Sequence, residues 1–285
     1  MPAHAAEKTI CRAVRSILAQ DHDAFEVLIV ADDDADYAHI LSDAGLKDPR
    51  IRFHHTGAKG SGSPPARNIG LDYANHRYAA ILDADDAFLP GKLSASAAHL
   101  QDAALISTGL QVRSVAGDDL REVGTGVSGW LAARHYKFVN LSMDSMLVHD
   151  RRAADPRFDP GLPCLTDLDF ALKIFASVPR ALHLGAPLHA YYKTPGSISN
   201  RPGSSAAMAS VKKLILERLR TGYYPLADPE GISGIADFLT QSLAAETVWP
   251  DAFGAQPGPL FEDHLEARLV RPPGPLMTPL TPSVK

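Results

Sequence analysis

Through the first 115 residues, short β-rich apolar runs alternate with stretches whose apolar residues recur at helical spacing. This alternation constrains the fold most, because strands joined through helices in this order build a mostly parallel, doubly wound sheet. "EKTICRAVRSILAQ" places Ile10, Val14, Ile17 and Leu18 on one helical face. "FEVLIVA" (25–31) and "RIRFHH" (50–55) read as strands, with a short helix between them that stops near Gly45. A Gly/Ser/Pro loop (57–65) leads into a helix with Pro64 and Pro65 at its entrance. "YAAIL" is the next strand, "GKLSASAAHLQ" a helix, and "AALISTGLQVRSV" one or two more strands.

The second half is less regular. "DSMLVH" (144–149) and "PLHAYYK" (187–193) read as strands, and 165–178 as a helix with Thr166 as its N-cap. Two amphipathic helices follow, then a Pro/Gly-rich tail from about Trp249 that is expected to dock loosely. With 285 residues, 45% hydrophobic and 21% charged, the chain is of ordinary globular composition and long enough for a sizeable core. A net charge of −5 argues against a nucleic-acid binder. Two distant cysteines, Cys11 and Cys164, do not make a disulfide framework and favour a reducing compartment. With no bilayer-length apolar run and no signal-peptide core, a cytoplasmic location is expected, with contact at the inner face of the membrane left open.

Ligands of open parallel sheets bind beyond the carboxyl ends of the strands. Two acidic clusters fall there: "VADDDAD" (30–36) and "LDADD" (82–86). Such hard oxygen ligands suit Mg²⁺ or Mn²⁺ held together with a phosphate. An isolated D-x-D also suits a solvated turn, but here an apolar strand precedes it and a second acidic strand end lies nearby. Arg67 and Asn68 open a helix, where Arg67 can donate to a phosphate or base, or pair with the acidic loops. Asp167 and Asp169 also open a helix, where first-turn acids are favoured by the dipole alone, although a carboxylate there could serve as a general base. The 191–200 loop, with Lys193, Ser197 and Ser199, could close over a pyrophosphate.

Taken in order, these pieces resemble the family 2 glycosyltransferases of GT-A fold, over roughly residues 2 to 200. "PAHAAEKTICRAVRSILAQ" is similar to the family's P-A-Y-N-x-E opening and its helix ending S-I-L-x-Q. "EVLIVADDDAD" resembles E-I-I-I-V-D-D-G-S-T-D, and "ARNIGLDYA" resembles A-R-N-x-G-x-x-x-A. "YAAILDADDAFLPGKL" and "DPRFDPGLPCLTDLDFALKI" resemble Y-I-x-F-L-D-A-D-D-x-x-x-P-x-K-L and F-D-x-x-L-x-x-x-E-D-x-D-L. The resemblance implies a GT-A domain over 1–200, with 1–115 as the nucleotide half and 116–200 as the acceptor half, then a helical extension (201–248) and a tail (249–285).

It also implies transfer of a sugar, with inversion, from a nucleotide-sugar donor, a UDP-sugar first among them, to a saccharide or lipid-linked acceptor in polysaccharide or glycoconjugate assembly. Asp32 would hold the base, Asp83 the ribose, and Asp85 the divalent cation, Mn²⁺ or Mg²⁺. Arg67 would support the nucleotide and Lys193 the diphosphate. Asp86 would fix the turn or contact the acceptor, and Asp167 would deprotonate the acceptor hydroxyl. The chain departs from the pattern at 31–36, at Thr166 and at Ala5, and only Met1 stands before Pro2 where the family has a buried first strand. That strand is therefore expected to be missing or truncated. A GT-A-shaped binding protein without turnover, and a phosphatase of haloacid dehalogenase type with Asp83 as nucleophile, are the rival readings.

Overall fold

The computed structural model describes residues 1–193, 204–253 and 260–280. Strands β1 (Pro2–Ala3), β2 (Val27–Ala31) and β3 (Ile51–His55) form a parallel sheet in that order. Helix α1 (Ile10–Leu18) buries Ile10, Ala13, Val14 and Ile17 against it, as the periodicity requires. Helix α2 (Tyr37–Asp43) is capped by the Asp36 carboxylate, which accepts the His39 N–H at 2.9 Å. Helix α3 (Ser63–Tyr73) begins with its prolines in the first turn.

β4 (Tyr78–Ala80) leads through the acidic turn to β5 (Ala87–Phe88) and α4 (Lys92–Ala97). Then follow β6 (Leu105–Ser114), β7 (Asp119–Val123), β8 (Gly129–Ala132), α5 (Ala133–Val139), β9 (Val148–Asp150), α6 (Thr166–Phe175) and β10 (Arg180–Lys193). Helices α7 (Ser204–Arg220), α8 (Gly231–Phe253) and α9 (Phe261–Glu266) pack over the α5/α6 side of the core, and β11 (Thr278–Pro279) comes last. A second sheet runs β11-β8-β10-β6-β9-β4, with β5 paired to β10 and β7 paired to β6.

The parallel pattern read from the sequence holds in the first sheet and in the β6–β10 pair, while β4, β5, β7, β8, β9 and β11 are joined antiparallel. The mixed sheet with helices is a Rossmann-like GT-A arrangement. The first strand, expected to be missing or truncated, is present over two residues and pairs with Val30 and Ala31. Among the described residues no strand pairs with its other edge, so the β-structure divides there into two sheets.

Three local expectations change. The N-cap of α6 is Leu165, at φ 53°, and Thr166 is the first helical residue. The strand expected at 144–149 begins only at Val148, because 144 and 145 turn toward α6. The tail is not loose over its described part: Arg121 reaches Asp263 and Glu266 of α9, and Leu265 is buried.

Candidate active site

The acidic turn lies between β4 and β5, and its surroundings are built by α1, α3, α6 and β10. Arg67, in the first turns of α3, is 7% exposed and donates to both oxygens of Asp83, at 2.7 and 2.8 Å. Its other terminal nitrogen donates to the Thr166 hydroxyl at 3.3 Å, which ties the acidic turn to the start of α6. Burial works against ionisation of Asp83, but the charge and hydrogen bonds of Arg67, with His189 and the N-terminus, together outweigh it and hold the carboxyl below its ordinary range. Burial likewise opposes the Arg67 charge, and the carboxylates of Asp83, Asp167 and Asp86 together outweigh it.

Asp85 is in the opposite condition. Burial, then the neighbouring charges of Asp86 and Asp83, push its pKa up to about 7. A half-buried carboxylate beside two others is a hard oxygen donor whose charge a divalent cation would offset. Among the described residues no group of three or more His, Cys, Asp or Glu could hold a metal by itself. The donor set therefore fits a cation shared between Asp85 and the oxygens of a phosphate ligand, rather than a resident structural metal.

Asp86 is 1% exposed; its carboxylate accepts the Tyr192 N–H at 2.9 Å and stands 3.6 Å from His189. It fastens the turn to β10. Asp32 is 3% exposed and accepts from the Thr56 hydroxyl and from the N–H groups of Ser61 and Gly62, at 2.7 to 2.9 Å. Gly62 has φ 97°, a backbone conformation that glycine adopts without steric cost. Asp32 thus organises the glycine loop, with one donor on Oδ2 and two on Oδ1. Asp33, where the family has Gly, accepts from the Ala5 N–H, the Tyr37 hydroxyl and the Ala35 N–H. The extra acid is therefore a staple for the N-terminal loop.

Asp167 is presented from the first turn of α6. Its Oδ2 accepts the Asp144 N–H at 2.9 Å and faces the Ser145 hydroxyl at 3.4 Å. Asp169, two positions on, points away into the core and binds Arg218, Lys173 and the Tyr224 hydroxyl. Lys193 is not brought to the acids as a free cation: its Nζ pairs with Glu262 of α9 at 2.9 Å. The loop expected to cover a pyrophosphate lies, from residue 194, outside the described residues. Asp144, Ser145 and Glu262 had no local sequence signal, since their partners are distant in the chain.

An open α/β sheet with carboxylates beyond its strand ends and an arginine among them defines the class of α/β proteins that bind ligands at that edge. The family model described as glycosyl transferase family 2 matches residues 1–146, just over half of the chain, and the chain belongs to that family. It is 41% identical to an uncharacterized glycosyltransferase of Rickettsia felis over 81 residues, 28% of this chain and 13% of the relative. It is 36% identical over 93 residues to the Escherichia coli UDP-Glc:alpha-D-GlcNAc-diphosphoundecaprenol beta-1,3-glucosyltransferase WfgD, covering 33% of this chain and 36% of the relative. The chain thus matches only a minor part of the length of these curated relatives.

Among solved structures, S. aureus TarS 1-349 in complex with UDP-GlcNAc superposes with TM-score 0.67 at 17% identity, over 88% of this chain and 73% of that one. The mannosyltransferase PcManGT from Pyrobaculum calidifontis, in complex with GDP-Man and Mn2+, gives TM-score 0.55 at 16% identity, over 93% and 76%. At these identities the likeness concerns the fold. Among the described residues no helix is long and apolar enough to cross a membrane.

Proposed function

We propose that this glycosyltransferase moves a sugar, with inversion, from a nucleotide-sugar donor to an acceptor hydroxyl in polysaccharide or glycoconjugate assembly. The donor is a UDP-sugar and the acceptor a saccharide or lipid-linked saccharide. The observation that carries the reading is the Arg67 bridge, which links Asp83 of the acidic turn to Thr166, the residue before Asp167. This supports a reading in which the acidic turn and Asp167 act on one substrate.

Asp167 takes the proton of the acceptor hydroxyl, whose oxygen forms the new bond to the anomeric carbon. The bond from that carbon to the donor diphosphate breaks, and its electron pair leaves with the diphosphate. Asp85 would hold Mn²⁺ or Mg²⁺, which supplies charge neutralisation for the leaving diphosphate. Asp83 meets the ribose, with Arg67 supporting the nucleotide; Asp32 shapes the base pocket through the glycine loop. Asp86 keeps the turn on β10. Lys193 serves the diphosphate if it exchanges Glu262 for it. The domain division follows from this: 1–200 for transfer, with the C-terminal helices as an extension.

A thermal-shift panel of UDP-, GDP- and dTDP-sugars with and without Mn²⁺ tests the reading through linkage. Stabilisation that requires both a nucleotide-sugar and the metal is expected. Stabilisation by nucleotide alone, with no sugar release, would favour the second reading, a GT-A-shaped binding protein; the engagement of the Asp32 carboxylate by three protein donors is the observation on its side.

A further inference from the structure

Helix α1 and the residues just after it carry a polar stripe at positions 12, 16 and 20, four residues apart and so on one face. Every member of it reaches the backbone of the acidic segment. An Arg12 terminal nitrogen donates to the Asp85 carbonyl. The Ser16 hydroxyl accepts the Phe88 N–H at 3.0 Å. Gln20 donates to the Leu89 carbonyl at 3.1 Å and accepts the Leu93 N–H at 3.0 Å. On its opposite side the same segment pairs with β10, through Ala87 and Ala190 and through the Tyr192 N–H on Asp86. The stripe thus satisfies backbone groups that would otherwise need a neighbouring strand.

Arg12 is the rung at the acids. Its guanidinium also lies 3.6 Å from the centre of the Tyr192 ring, so the planar group is held by a carbonyl and an aromatic face together. We propose that Arg12 is a positioning residue for Asp85, the end rung of an Arg12–Ser16–Gln20 ladder that sets the peptide from which the metal-binding carboxylate projects. The proposal rests on the reading of Asp85 as the cation ligand. It gives a physical task to the S and Q of the S-I-L-x-Q stretch and extends that task one helical turn, to the acids.

A charge effect and a positioning effect have opposite signs. Measured at a pH well above 7, where Asp85 is ionised with or without Arg12, a nearby cation disfavours a second cation, so losing the Arg12 charge alone would tighten Mn²⁺. Losing the rung lets the Asp85 peptide wander and weakens Mn²⁺. The experiment measures the dissociation constant of UDP by calorimetry, with Mn²⁺ and with EDTA, in the wild type, Arg12→Met, Arg12→Lys and Ser16→Ala. The wild type is expected to bind UDP more tightly with Mn²⁺. Arg12→Met should lower that ratio by about tenfold, in the range seen when a support of a metal ligand is removed. Arg12→Lys, which can still reach the carbonyl, should recover part of it.

An unchanged or larger ratio in folded Arg12→Met overturns the proposal alone. If Arg12→Met does not fold, Ser16→Ala decides: a smaller ratio supports the ladder and an unchanged one overturns it. A wild type that binds UDP without any Mn²⁺ effect overturns the metal reading of Asp85, and the proposal with it.

Discussion

At the residue scale, the acids of the turn are not equivalent. Asp83 is paired, Asp86 is fastened to β10, and Asp85 is left with a pKa of about 7. A carboxyl whose folded pKa is raised favours the folded state most at pH below its unfolded value, near 4, and loses that contribution as pH rises to about 7. Asp85→Asn should therefore gain thermal stability over the wild type as pH rises from about 4 to about 7; a constant difference across that window would contradict the account. On the proposed reading Mn²⁺ would displace the same proton, so its affinity should fall about tenfold per pH unit below about 7 and level off above it. A metal titration followed by thermal shift at several pH values checks this. Ala5 has φ 49°, a left-handed backbone that costs a residue with a Cβ about 1 kcal/mol. Ala5→Gly should raise the stability by up to about 1 kcal/mol in denaturant unfolding, and a loss would contradict the strain.

At the element scale, α6 is divided in purpose. Asp167 meets the Asp144 N–H and the Ser145 hydroxyl, while Asp169 fastens the helix to α7 through Arg218 and to Tyr224. Asp169 is fully buried, but Arg218 keeps Asp159 and Lys173 keeps the Arg157 carbonyl, so Asp169→Ala should cost about 1–3 kcal/mol, chiefly through the buried Tyr224 hydroxyl it leaves, measured by chemical denaturation. A cost near that of a surface change would show that the network is dispensable. Both acids read alike from the sequence, because helix position alone favours either. What separates them is a partner 49 residues away in Arg218, which no local pattern announces. The strands and helices with strong periodicity or clear entry signals, α1, β2 and α3, were legible. The polar strand β7 and the short α5 were not, because distant pairing and packing define them rather than local propensity.

At the scale of the whole molecule, the N-terminal half carries the acidic ends, and the later elements supply Asp167 and the docked α9. The placement of acids beyond a strand was legible where residue type and strand end coincide, as at 82–86. It was not legible at Lys193, whose partner Glu262 lies 69 positions on. On the proposed function these elements form one transferase site, with a cation at Asp85 and a base at Asp167. The most direct measurement is UDP release from a panel of UDP-sugars with Mn²⁺, with water standing in for the acceptor, in the wild type, Asp85→Asn and Asp167→Asn. Metal-dependent release that both substitutions abolish, with their folding intact, is the predicted result. No release from any UDP-sugar, or release that survives both substitutions, would contradict it.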